Sequence, residues 1–331
     1  MRVFITGAAG FIGSHLCKRL VNDGHDVIGI DDMSVGFRDN IASLEGNNNF
    51  EFFEDDIRNH FEIDTYIDVI YHLAARGETY WCQDNPLEAC DVNINGTVAM
   101  LEFAKACKVN HFIFADTSAE YDNIPIQTKN STTNYPSREF DECSHKWGVW
   151  MPRGFYSITK NAASQFVRSY GNEYGFGTTL IRPFNVYGPS MNLIRDIPPV
   201  VGSFTKSILE GSAPYIFGSG EKRRDFIFIN DAIELLSRCL THRNKIDTLT
   251  VNMGSGENYS IYEVYEQVCK EILGIDENWP EIEYREDKDY EAEITLADIS
   301  IARRNLDWEP RIDFENGVKR TVNGIRLQLG Y

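Results

Sequence analysis

From Thr6 to Gly13 the chain reads Thr-Gly-Ala-Ala-Gly-Phe-Ile-Gly, and no other stretch constrains its fold as strongly. The octapeptide follows a short apolar run, Arg2–Thr6, and opens an apolar-periodic stretch from Phe11 to Asp23. It therefore reads as the turn between a first strand and a first helix. Each glycine has a physical task there. Gly7 permits a tight turn, Gly10 lets backbone approach a pyrophosphate, and Gly13 lets the helix pack close to the sheet. The helix N-terminus adds free N–H groups and a partial positive charge suited to phosphate. A strand–turn–helix without a ligand could use the same glycines, but Asp31 follows at the end of a second strand, His25–Ile30. A carboxylate at that point accepts hydrogen bonds from both adenosine ribose hydroxyls and repels a 2′-phosphate. Asp31, reinforced by Asp32, thus favours NAD over NADP.

Downstream, apolar runs keep alternating with helical patterns. Strands are expected at Phe50–Glu54, Asp68–His72, His111–Ala115 and Thr178–Arg182, and helices over Pro86–Lys108 and Tyr156–Tyr174. This is the signature of an α/β fold, a Rossmann-type doubly wound parallel sheet. After Pro183 the pattern loosens: helices are expected at Pro198–Glu210, Asp231–Leu240 and Ile261–Leu273, and short strands at Asp225–Ile229 and Thr248–Asn252. Residues 1–182 read as an NAD-binding domain and 183–331 as a smaller C-terminal α/β substrate lobe, with about 225–255 returning to the first domain. The polar stretch Asp122–Phe155 has no period and is long for a connection, as pocket lids often are.

Composition narrows the partners. A net charge of −18 over 331 residues repels phosphate backbones and anionic bilayers, so neither nucleic acid nor membrane is an expected partner. There is no run of 18 apolar residues and no signal-peptide pattern ahead of the first strand. Seven scattered cysteines without a CxxC pair fit a reducing, cytoplasmic setting.

Tyr156-Ser157-Ile158-Thr159-Lys160 places a phenol and an ammonium one helical turn apart on one face. A neighbouring cation favours phenolate, so Tyr156 is expected to have a lowered pKa and to serve as a general base. Asp56-Ile57, after the third strand, reads either as an adenine contact or as a solvated loop acid. His145 has nothing at metal-ligand spacing, and no metal is expected.

TGAAGFIG, Asp31, His72-Leu73-Ala74-Ala75, the Asn93/Gly96-Thr97 set, Thr117-Ser118, YSITK, RPFNVYGP (Arg182–Pro189), RRDFIFIND (Arg223–Asp231) and TLADISIARRNLDWEP occur in order. As a set they resemble the extended short-chain dehydrogenases, in particular the nucleotide-sugar epimerase/dehydratase group, over essentially the whole chain. The resemblance implies an NAD site that includes Phe11, Ile12, Leu73, Ala74 and Ala75 beside the residues already named. It implies a nucleotide-diphosphate sugar as substrate. Thr117 would hydrogen-bond the sugar and Tyr156, Tyr156 would take the 4-OH proton, and Lys160 would bind the nicotinamide ribose and hold Tyr156 anionic. Asn185 and Arg224 would hold the diphosphate, with Arg76 and Ser118 near the sugar. Without a ligand, Thr117 would cap a turn, Asn185 would close a loop and Arg224 would form an ion pair. The group also commonly forms homodimers through two long helices, here about Pro86–Lys108 and Tyr156–Tyr174.

Within that group, dehydratases carry a glutamate two residues after the threonine. Here that place is Ala119, and the acid is Glu120. If the segment is extended, Glu120 points to the opposite face. A 4-epimerase is therefore expected ahead of a dehydratase or reductase, and a non-catalytic NAD binder comes last, since a mere binder needs no activated phenol. The charged Arg76-Gly77-Glu78 and the acids and aromatics of the 122–155 stretch (Glu139, Asp141, Glu142, Cys143, His145, Trp147, Trp150) leave open an acidic sugar or a second base.

Overall fold

The computed structural model describes residues 1–59, 66–121, 136–139, 154–195, 197–275, 278–287 and 291–331. Six strands follow the chain into one sheet: β1 (Arg2–Thr6), β2 (Asp26–Asp31), β3 (Phe50–Glu54), β4 (Val69–His72), β5 (His111–Ala115) and β6 (Gly177–Pro183). After β7 (Asn185–Tyr187), β8 (Tyr215–Phe217) and β9 (Arg223–Phe228), the chain returns through β10 (Thr250–Met253) to pair beside β6. The order β10-β6-β5-β4-β1-β2-β3 is parallel throughout. This is a Rossmann-type α/β sheet with one added strand. With β11 (Asn258–Ser260) and β12 (Glu283–Arg285), two small sheets form, β11-β9-β7 and β12-β8.

Strand side chains alternate between faces, and both faces are buried. Phe4, Ile28, Ile70 and Phe112 meet Met100 and Leu101 from helix Gly96–Cys107 and Ala163 and Val167 from helix Phe155–Tyr174. Val3, Ile5, Val69 and Ile113 meet Leu16 and Leu20 from helix Phe11–Asn22 and Leu235 and Leu236 from helix Ile229–Ile246. Strand ends on such a sheet form the crevice where ligands bind.

One expected helix is interrupted. Pro86–Lys108 is Pro86–Cys90, a π turn at Asp91–Asn95, then Gly96–Cys107. The π turn carries Asn93, whose Oδ1 accepts from the Arg76 amide at 2.8 Å. Its Nδ2 donates to Arg76 O at 3.1 Å and to Thr159 Oγ1 at 3.0 Å. Phase has been traded for a fully bonded buried amide.

Candidate active site

The glycine turn is built as its sequence requires. Gly7 has φ +70°, and a Cβ there would stand 2.9 Å from the Ala74 amide nitrogen. A Cβ on Gly13 would fall 2.0 Å from Gly7 O, so its close approach is to the turn itself rather than to a strand. Gly10 caps helix Phe11–Asn22 without a side-chain bond, which leaves first-turn amides for an anion. Asp31 is buried; Oδ2 accepts from Ala9 N at 3.0 Å and Oδ1 from Met33 N at 2.9 Å. Burial pushes its pKa up, against the Met33 and Ala9 amides. Each oxygen keeps a lone pair, and a Cβ on Gly36 would sit 2.8 Å from Oδ1. An anion-ready helix end beside a fixed carboxylate fits a dinucleotide.

Thr6 Oγ1 accepts from the amides of Leu73 (3.1 Å) and Ala74 (3.0 Å) and bonds His72 Nδ1 at 2.8 Å; His72 Nε2 meets Thr97 Oγ1 at 3.0 Å. The Leu73–Ala75 segment is thereby pinned beside the glycine turn. Asp32 is turned to Ser34, whose amide it accepts at 2.9 Å. Asp56 grips Arg58, and Ile57 packs under Gly96, so Asp56 already has a partner in the loop.

A cavity of about 940 Å³ opens next to these groups. Thr117, Ser118, Tyr156, Asn185, Arg76 and Arg224, drawn from separate parts of the sequence, all line it. Thr117 is near enough to oppose the rise of the Tyr156 phenol's pKa, and a Cβ on Gly77 would lie 4.0 Å from the Tyr156 hydroxyl. Each of three residues also carries its plainer role. Thr117 Oγ1 caps the following turn (Ala119 N, 3.1 Å), Asn185 Nδ2 closes onto Asp225 O (3.3 Å), and Arg224 pairs with Glu291 (3.2 Å).

The expected electrostatics of Tyr156 needs correcting. Burial pushes the phenol above its ordinary pKa, and the opposing influence is Thr117 rather than Lys160. The Lys160 ammonium lies 4.0 Å from the centre of the Phe114 ring, is buried, and is lowered to about 8 by desolvation against the pull of Asp116 and Glu120. One helical turn sets the two groups on one face; it does not by itself make a phenolate.

The segment after Thr117 is also not extended: Ser118–Glu120 is a 3-10 turn. Ala119 faces the cavity, while Glu120 is buried at 2.5 Å from the Arg182 guanidinium, which also holds Asp116 at 2.8 Å. Of the 122–155 stretch, residues 122–135 and 140–153, including Asp141, Glu142, Cys143, His145, Trp147 and Trp150, lie outside the described residues. Glu139 is described, and its Oε1 accepts from Asn252 N at 3.0 Å.

Sequence reasoning missed Arg195, whose buried Nε has no hydrogen-bond partner among the described residues and which lines the cavity. It also missed the wall in which Tyr80 stacks on Phe217 at 5.8 Å and bonds Glu291. No spacing rule marks either. Asp116 and Glu120 flanking Thr117 were visible as an acidic pair, but not their shared arginine.

Comparison with known proteins accords with this geometry. The NAD dependent epimerase/dehydratase family model matches residues 3–254. A UDP-glucose 4-epimerase of Mycolicibacterium smegmatis is 29% identical, covering 98% of this chain and 99% of that one. UDP-glucuronic acid decarboxylase 6 of Arabidopsis thaliana is 30% identical over 100% of this chain and 90% of its own. The structure of Bacillus cereus UDP-glucuronic acid 4-epimerase with UDP-glucuronic acid and NAD superposes with a TM-score of 0.82 at 29% identity, covering 99% of this chain and 100% of that one. The glycine turn, Asp31 and a match over three-quarters of the length make this chain a member of the NAD-dependent epimerase/dehydratase family.

Proposed function

We propose that the protein is a nucleotide-sugar 4-epimerase that oxidises sugar C4 to a ketone and reduces it again from the other face. The observation that carries this reading is the cavity wall after Thr117. Ala119 occupies the place where a dehydratase needs its acid, and Glu120 is turned away into Arg182. The described carboxylates that line the cavity are Glu78, Asp84 and Glu291, none of them beside Thr117 in the chain, and without an acid there a 4-keto sugar is left to take its hydride back.

Bound NAD supplies the acceptor and donor for the C4 hydride. The first-turn amides after Gly10 would hold its pyrophosphate and Asp31 its adenosine ribose, with Phe11, Ile12 and Leu73–Ala75 around them. Tyr156, as general base, takes the 4-OH proton and returns it to the oxygen at the end. Thr117 aligns that hydroxyl with the phenol. Lys160 contributes a buried positive charge that favours the phenolate once the nicotinamide ribose is held. Asn185, Arg224, Arg76 and Ser118 hold the substrate, and the cavity volume leaves room for the sugar to turn.

Incubation with UDP-, GDP- and dTDP-hexoses in D₂O, followed by NMR, tests the reading. Epimer exchange without deuterium at C5 is expected. Loss of water, C5 deuteration, or silence with every sugar would overturn it.

The same reading divides the chain into an NAD lobe (1–182) and a mainly substrate lobe (183–331) that lends β10 back. It also makes the protein a cytoplasmic homodimer. Ile158 and Phe166, each 42% exposed on helix Phe155–Tyr174, support a helix-pairing interface. Among the described residues no helix is long and apolar enough to cross a membrane. Light scattering that returns a monomer mass would remove the dimer.

A further inference from the structure

One carboxylate on the cavity wall is uncommitted. Glu78 lines the cavity together with Tyr156, Arg195 and Arg224, and its side chain makes no hydrogen bond or ion pair among the described residues. It stands immediately before helix Thr79–Asp84, where an acid commonly turns back onto the first amides, yet no such bond forms. The backbone that carries it is nevertheless fixed on both sides. The Arg76 amide donates to Asn93 Oδ1 at 2.8 Å, and Arg76 O accepts from Asn93 Nδ2 at 3.1 Å. Cys82 N then donates to Glu78 O at 2.9 Å, and Cys82 Sγ closes onto Arg76 O at 3.3 Å.

Gly77 shows which end of the cavity this is. Among the described glycines it alone has neither a left-handed φ nor a crowded Cα. Chain neighbours aside, the one described atom that a Cβ there would find within 4 Å is the Tyr156 hydroxyl, at 4.0 Å. Bare backbone thus leaves open the space in front of the phenol, where sugar C4 has to sit. Glu78 follows one Cα step of about 3.8 Å further on, so its carboxylate belongs to the sugar end.

Most cations of the wall are taken. Arg224 pairs with Glu291 at 3.2 Å, Lys222 with Asp287 at 2.5 Å, and Arg76 with Glu88 at 3.4 Å. Arg195 differs, because its buried Nε has no hydrogen-bond partner among the described residues. Burial lowers its pKa and Glu78 leads the charges that oppose the fall, although the two are not bonded. The wall therefore offers one open acceptor and one open donor. A nucleotide sugar answers both, since its diphosphate only accepts and its sugar hydroxyls can donate.

We propose that Glu78 is a specificity-determining residue, which accepts hydrogen bonds from sugar hydroxyls near C4 and keeps out sugars that carry a carboxylate there. A hexose presents hydroxyl donors at C3 and C6. A hexuronic acid presents an anion at C6, which would meet a like charge. The proposal rests on the reading of Tyr156 as the group that receives C4, and it deepens that reading by naming neutral hexoses as the substrate class.

Calorimetry on the NAD-loaded protein tests it, with glucose and glucuronic acid compared on whichever of UDP, GDP and dTDP the protein binds. The wild type should bind the neutral sugar about 100-fold more tightly than the acid. Glu78→Gln keeps the shape and removes the charge; the neutral sugar should lose about fivefold and the acid gain about tenfold, leaving a ratio of about two. Glu78→Asp should retain the preference for the neutral sugar. NAD affinity and Tm should stay at their wild-type values in both variants, which separates choice of sugar from damage to the fold. Binding is read whether or not the sugar turns over, so a protein that discriminates without epimerising sinks the reaction and keeps this inference. Equal affinities or a preference for the acid in the wild type, or a ratio unmoved by Glu78→Gln, ends it. Binding of neither sugar on any of the three nucleotides ends it too.

Discussion

The glycine turn and the cavity wall solve different problems with different material. At the turn, function resides in backbone and in missing atoms: Gly7, Gly10 and Gly13 lie within seven residues, and Asp31 is reached over a single helix. The wall is made of side chains brought from afar. Arg224 meets Glu291 sixty-seven residues on, and Tyr80 reaches Glu291 across 211. A short-range device tolerates almost no substitution, whereas a long-range one can be changed one side chain at a time. Substrate choice can therefore vary in this fold while cofactor binding stays fixed.

Four substitutions probe that contrast. Tyr156→Phe, at the seam between the regions, should lower kcat by about 10²–10⁴-fold with NAD affinity intact by calorimetry, since it removes only the proton carrier. Gly13→Ala should weaken NAD binding on the order of 10–100-fold, because its methyl would meet backbone and overpacking costs about 1–3 kcal/mol. Full NAD affinity in that variant would show that the turn is more forgiving than its geometry. Arg195→Ala should raise the nucleotide-sugar KM about tenfold with NAD affinity unchanged, the loss of roughly one charge-assisted hydrogen bond. Were NAD affinity to fall instead, the two regions would not be separable. Asp31→Asn should have the smallest effect, a loss of severalfold in preference for NAD over NADP, because the amide still hydrogen-bonds a ribose but no longer repels a 2′-phosphate.

The same contrast explains what could be read from the chain alone. The parallel sheet was legible because its strands are continuous apolar runs, as at Val69–His72 and His111–Ala115. The three-residue strands β7, β8, β11 and β12 were not, since so short a run shows no alternation. Helix Phe314–Leu329 could have been found: Asp313 caps it through Asn316 N at 2.8 Å, and Val318, Val322 and Ile325 recur at helical spacing. In the site, glycines and the YxxxK spacing locate residues but leave their electrostatics open, because desolvation depends on everything packed around a group. That is why the YxxxK spacing could bring Tyr156 to the cavity wall and still leave the direction of its pKa shift unread.

The π turn at Asp91–Asn95 has a bearing on how this helix can evolve. One extra residue is absorbed there, because a turn closed by i→i+5 bonds winds less per residue than the regular helix on either side. Gly96 therefore keeps its seat on Ile57 and Thr97 its bond to His72 although the chain carries a residue more than a regular helix would need. A single-residue deletion between Asp91 and Asn95 should consequently be better tolerated than one elsewhere in this helix, at the expense of the bonds that Asn93 makes.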